Sequence, residues 1–168
     1  HDYQYEIEEV TRKLSLKLKK YFEDWLTLLN VPKKRNIKKQ LLALDKLGKY
    51  LTFNYTNTLK KTYDIKKANI LHIHGSLKKP EQIVLGHNWK PNSKNYLAEQ
   101  RNPEDIDTRI LEGNEIIERY FRSTFKPTKK IIENNKSFFS KLRNIDKIIV
   151  LGHSLSYVDL LYFKTIVK

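Results

Sequence analysis

Most of the side chains here that could do chemistry sit in four short turns, each at the end of an apolar run. Asn54, Asn57 and Thr58 follow residues 50–53; His74, Gly75 and Ser76 follow residues 70–73; Gly86, His87 and Asn88 follow Leu85; Gly152, His153 and Ser154 follow residues 148–151. In an open parallel sheet, ligands bind outside the carboxyl ends of the strands. A helix starting there adds free N–H groups and a positive dipole end suited to phosphate. The four turns are therefore expected to meet around a nucleotide ligand. His74 is the candidate general acid or base, because imidazole titrates near neutrality; the competing role is a hydrogen bond to a neighbouring carbonyl. Gly75 would let a ligand approach the backbone closely. His72 shares a strand face with His74 by the period of two and is expected deeper, as a core histidine. Asn54, Asn57 and Thr58 suit ribose hydroxyls, and equally suit helix N-caps. Asp159 has the same two readings. His74, His87, His153 and Asp159 are of the right types for zinc, but none of the local spacings of a zinc site is present, and no metal is expected. No Walker loop, nucleophile elbow or His-Glu-x-x-His helix occurs.

The elements that must position these groups are read from periodicity. Apolar residues recur at three- and four-residue steps over residues 7–29, which predicts one long amphipathic helix ended by Pro32. A second helix is expected to pack Leu41, Leu42, Leu44 and Leu47 inward and to end at Gly48. Residues 50–53, a helix over 57–63 and residues 70–73 make a strand, helix, strand pattern that points to a parallel sheet. A strand over 82–85 and a loop or lid over 86–103 anchored by Trp89 come next. Helices over 110–121 and 128–142 precede the apolar run 147–151, expected as a strand covered on both faces. Ser156 and Asp159 then read as a capping box opening a last helix. Together these predict an α/β protein with a mainly parallel, Rossmann-like sheet flanked by helices. Residues 1–48 form a helical cover and residues 49–168 the core.

At 168 residues, 39% hydrophobic and 31% charged, the chain fits one soluble domain. No apolar run approaches the roughly 20 residues of a membrane helix, so no membrane partner is expected. Without cysteine there are no disulfides, thiolate nucleophiles or cysteine-ligated metals, and a cytoplasmic location is compatible. The absence of methionine, initiator included, leads to the expectation that the chain is a fragment of a longer protein. A net charge of +14 suggests nucleic acid, anionic nucleotides or a membrane surface as attractors, and equally reflects a lysine-rich composition. Arg119-Tyr120-Phe121-Arg122 could contact RNA, or be one amphipathic helix.

The blocks Phe53-Asn54-Tyr55-Thr56-Asn57-Thr58-Leu59, Ile73-His74-Gly75-Ser76-Leu77, Leu85-Gly86-His87-Asn88 and Glu112-Gly113-Asn114-Glu115 resemble the bacteriophage abortive-infection AbiH family. So does Leu151-Gly152-His153-Ser154-Leu155-Ser156, with Val158-Asp159 and Tyr162-Phe163. That family opens with a glycine-rich Gly-Asn-Gly-Phe-Asp strand-turn; nothing like it precedes Phe53, and the fragment is expected to lack it. A more distant similarity is to sirtuins and sirtuin-like NAD-consuming domains, matched by Asn54, His74 and the turn Gly152-His153-Ser154-Leu155 in that order. This resemblance implies His74 near the nicotinamide ribose, Asn54 positioning the ribose or an attacking water, and the Gly152 turn at the adenosine half. The expected function is anti-phage abortive infection with a nucleotide-binding cleft, NAD hydrolysis being its most concrete chemistry. The alternatives are a nucleic-acid-binding or RNA-cleaving toxin, and a non-catalytic partner-binding module.

Overall fold

A computed structural model describes residues 2–36, 44–88 and 107–167. The chain divides into two compact units, one of His1–Asp24 with Leu85–Lys126, the other of Trp25–Val84 with Pro127–Lys168.

In the first unit, helix α1 (Asp2–Arg12) runs through a π-helical turn (Lys13–Lys17) into α2 (Leu18–Leu28). The Thr11 hydroxyl donates to the Ile7 carbonyl at 2.8 Å and the Ser15 hydroxyl to the Thr11 carbonyl at 2.7 Å. Such side-chain bonds compete for carbonyls of the helical ladder where the turn widens. Helix α1 packs on α4 (Thr108–Ser123), whose Asp107 cap accepts from the Arg109 N–H at 2.9 Å. The contact is close because Gly113 has no side chain: a Cβ there would lie 3.0 Å from a Tyr3 ring carbon and 3.2 Å from Ile7 Cδ1. The long amphipathic helix is thus present, but much of its apolar stripe, including Val10, Leu14, Leu18 and Tyr21, stays exposed.

The second unit contains β1 (Tyr50–Thr52) and β2 (Ile70–His72), paired in parallel with Tyr50 opposite Ile70 and Thr52 opposite His72. The crossover carries α3 (Thr58–Lys61), as the strand, helix, strand pattern predicts. Beyond β2 the Ile73 N–H still donates to the Thr52 carbonyl at 3.0 Å. Helices α5 (Thr128–Asn134), α6 (Lys136–Ser140) and α7 (Leu160–Ile166) complete the unit. Ile73, Phe139, Leu142 and Tyr162 form the core, with Leu51, Phe53 and Leu71 of the strand layer packed against it.

Several expectations need correction. The described residues are helix-rich, and their one sheet has two parallel strands. Residues 147–151 belong to no helix or strand, and Ile148, Ile149, Val150 and Leu151 are exposed rather than covered on both faces. An apolar run becomes a strand only beside a free edge, and among the described residues none pairs with this one. Residues 82–85 are not a strand either; they begin in a tight turn (Pro80–Gln82), and Val84 is held by its N–H donating to the His74 carbonyl at 2.9 Å and by its carbonyl accepting from the Tyr55 hydroxyl at 3.1 Å. The helix over 128–142 breaks at Asn135, whose φ is −114° and whose amide donates back to the Ile131 carbonyl at 2.8 Å. Leu47 does not pack inward but is exposed, in a turn closed by the Asp45 carboxylate accepting from its N–H. Leu41 and Leu42 of the expected second helix, and Trp89 of the expected lid, lie outside the described residues.

Candidate functional site

The strand end that delivers His74 does so by breaking the period of two. Strand β2 stops at His72, the Gly75 N–H bonds the His72 carbonyl at 3.1 Å, and Ile73 and His74 both turn inward. His74 is therefore buried, with 5% exposure, while His72 is half-buried and donates from Nδ1 to the Asn54 carbonyl at 2.8 Å. The expectation that His72 is the deeper of the two is reversed. Gly75 does permit a close approach, at φ +86°, but the group that approaches is the Gln82–Ile83 backbone, which any Cβ would strike. Ser76 closes the following turn, its carbonyl accepting from the Lys79 N–H at 2.9 Å.

Asp159 gathers two of the expected histidines. Its Oδ1 lies 3.5 Å from His74 Nε2 and its Oδ2 lies 3.5 Å from His153 Nε2. The expected capping box is absent. Ser156 makes no side-chain cap bond, and Asp159, in the turn Tyr157–Asp159 at the start of α7, faces the imidazoles instead. His153 is held from its other side, because the Leu155 N–H donates to His153 Nδ1 at 2.8 Å. The neutral imidazole then carries its proton on Nε2, facing the carboxylate. Leu155 achieves this at φ +53°, a left-handed conformation that costs a branched side chain roughly 1–2 kcal/mol.

Aromatic rings wall the cluster, and here sequence reasoning missed residues. The Phe53 ring centroid lies 4.2 Å from that of His153 and 5.2 Å, edge to face, from that of His74. Tyr162, fully buried, lies 5.6 Å from the His74 ring. Burial pushes its hydroxyl up to about 12, against a lowering by the neighbouring Thr128, and the Asp159 charge adds to the rise. Tyr55 is raised by the same two causes, burial first, with its hydroxyl donating to the Val84 carbonyl at 3.1 Å. A signal was available for Tyr162: three residues after Asp159, it shares that residue's helix face.

Beside this cluster lies a cavity of about 510 Å³ whose lining includes residues 51–54 and 147–153. Asn54, Gly152 and His153 line it; His74 and Asp159 do not. Asn57 occupies the N-cap position of α3 without a side-chain cap bond, and the Thr58 hydroxyl is 2.9 Å from that of Thr56. Ser154 is exposed. His87 belongs to the first unit, its Nε2 3.2 Å from the Thr124 hydroxyl and its ring 5.0 Å from that of Phe121. Both Nε2 atoms of the His74 and His153 pair address the carboxylate rather than a shared centre. No group of three or more His, Cys, Asp or Glu among the described residues is arranged to hold a metal ion.

No helix among the described residues is long and apolar enough to cross a membrane. Neither a curated protein nor a solved structure matches the chain. The family described as bacteriophage abortive infection AbiH matches residues 1–168, the whole chain. The protein belongs to the bacteriophage abortive infection AbiH family.

Proposed function

We propose that this protein serves abortive infection by handling a nucleotide, NAD most concretely, at the carboxyl end of β1. Family membership implies the anti-phage role. The nucleotide reading rests on one observation: Asp159 is held between His74 and His153, the second of which lines a cavity together with Asn54 and Gly152. A carboxylate so held can accept from ribose hydroxyls, and the exposed Asn54 can orient the ribose or a water. In hydrolysis the bond between C1′ and the nicotinamide nitrogen breaks, water oxygen bonds to C1′, and the water proton passes to the Asp159–His153 pair. His74, buried behind the carboxylate, acts through Asp159 as a positioning residue.

The test is release of nicotinamide and ADP-ribose from NAD, with binding of NAD, ATP and AMP measured in parallel. Wild type should release nicotinamide, Asp159→Asn about a hundredfold more slowly. His74→Ala should lower kcat with little change in KM. A folded wild-type protein that neither binds nor consumes any of the three overturns the reading. A second reading, nucleic-acid binding, is favoured by the net charge of +14 alone.

A further inference from the structure

The net charge of +14 is unevenly spread. Residues 33–36 and 44–67 carry nine lysines and arginines against two acids, half of the excess on a sixth of the chain. All nine cations are exposed. Hydrogen bonds within the second unit tie together the segments that carry them. Thr62, fully buried, donates from its hydroxyl to the Pro32 carbonyl at 2.7 Å, which sets the turn Lys33-Lys34-Arg35 against the end of α3, where Lys60 and Lys61 lie. At Asp64, φ +58°, the chain turns back, and the Ile65 N–H donates to the Leu59 carbonyl at 3.1 Å. Lys66 and Lys67 follow at once. Beyond them buried Asn69 accepts from Lys49 Nζ at 2.5 Å and donates to the Lys46 carbonyl at 3.3 Å.

The two acids do not neutralise this face. Asp64 is engaged by Lys34, whose Nζ lies 3.0 Å from its Oδ2; the hydrogen bond and charge of Lys34, with the charge of Lys46 adding, hold its carboxyl below the usual range. Asp45 closes its own turn, accepting from the Leu47 N–H at 2.8 Å. Cations crowded on a surface repel one another, and a partner bearing a row of negative charges relieves that repulsion. Of the nine, only Lys49 lines the cavity, so a single nucleotide seated there would leave the others unmet. No aromatic side chain of residues 33–36 and 44–67 is exposed, and Leu47 is their one exposed large apolar group. The face thus has no platform for stacking splayed bases and no apolar stripe for entering a bilayer. A duplex asks for neither: it presents one phosphate per about 1.7 Å of axis and is held by cations alone.

We propose that this face of the second unit, built on the end of α3 and the turns at 33–36 and 64–69, binds the phosphate backbone of duplex nucleic acid without reading its sequence. It gives the nucleic-acid reading a place on the molecule and rests on that reading. It does not depend on the nucleotide site at Asp159.

The probes are DNA and RNA 20-mer duplexes of one sequence, the corresponding single strands, and polyglutamate. At about 50 mM salt both duplexes should bind, and single strands and polyglutamate at least about tenfold more weakly. Joint Lys60→Gln, Lys61→Gln, Lys66→Gln and Lys67→Gln should lower duplex affinity at least about tenfold and make the salt slope shallower by about 2 to 4. Removing the same charge elsewhere in the unit, by joint Lys129→Gln, Lys130→Gln, Lys136→Gln and Lys141→Gln, all exposed, should change affinity by less than about threefold. Asp64→Asn keeps a residue that tolerates positive φ, frees Lys34, and should tighten binding and steepen the slope by about 0.9. Lysine acetylation read by mass spectrometry needs no substitution: bound duplex should protect Lys60, Lys61, Lys66 and Lys67 but not Lys129 and Lys130. If no duplex binds at about 50 mM salt, the nucleic-acid reading falls together with this face. If duplex binds but the two fourfold variants weaken it equally, or the protected lysines lie elsewhere, that reading stands and this face is overturned. Single strands or polyglutamate binding as tightly as duplex overturn it as well.

Discussion

Tyr162 ties the site's chemistry to the stability of the second unit. Its hydroxyl titrates near 10 in an unfolded chain and is pushed up to about 12 here by burial, so the folded state favours the neutral form. That contribution is fully present below pH 10 and is lost as pH rises from about 10 to about 12. Urea unfolding across pH 8 to 11.5 should show stability falling steeply above pH 10 in wild type and less steeply in Tyr162→Phe, with the raised Tyr50 and Tyr55 leaving a residual slope. A second substitution tests the turn. Gly75→Ala puts a methyl group onto the Gln82 carbonyl at φ +86° and should cost at least about 2 kcal/mol, read as a lower denaturant midpoint. At this scale the residue types were legible and their depths were not. His74, Gly75, His153 and Asp159 could be singled out as candidates. That His74 is the deeper histidine, and that the chain itself fills the space at Gly75, depends on where β2 stops, which no local pattern encodes.

Helices were easier to find than strands, and the reason is physical. A helix satisfies its own backbone, so the periodicity over 110–121 is sufficient to predict α4. A strand needs a neighbour, and the apolar run 148–151 has none among the described residues. The β1–β2 pair was legible because its partner follows in sequence through a short crossover. The break at Asn135 was hidden, since Ile131, Ile132, Phe138 and Phe139 keep an apolar face across it. Within the first unit the pairing of α1 with α4 hangs on one glycine of the family block Glu112-Gly113-Asn114-Glu115. Gly113→Leu forces a branched side chain into Tyr3 and Ile7 and should destabilise the unit by about 1–3 kcal/mol. Limited proteolysis should then cut α1 faster than in wild type, whereas Gly113→Ala, meeting ring and methyl edges at 3.0 and 3.2 Å, should have a smaller effect.

At the scale of the whole molecule, charge separates the two functional readings. Thirty-three lysines and arginines against nineteen acids create a field that draws in any polyanion, NAD included. The groups gathered at Asp159 are a different matter, being a carboxylate, two imidazoles and aromatic rings, and a carboxylate repels phosphate while accepting from hydroxyls. A site that reads ribose should therefore keep most of its affinity as salt rises. Nucleic acid held by the basic surface should lose it steeply, because each neutralised phosphate releases counterions, about 0.9 per contact on duplex DNA. Binding of NAD and of a labelled 20-mer duplex, measured from 50 to 300 mM salt, distinguishes these. A shallow slope for NAD, weakened NAD binding in Asp159→Asn and a steep slope for duplex unaffected by that variant would assign the cluster to the nucleotide and the charge to general attraction. If Asp159→Asn instead strengthens duplex binding while NAD shows no measurable affinity, removing one negative charge has improved a phosphate-binding surface, and the nucleic-acid reading replaces the nucleotide one.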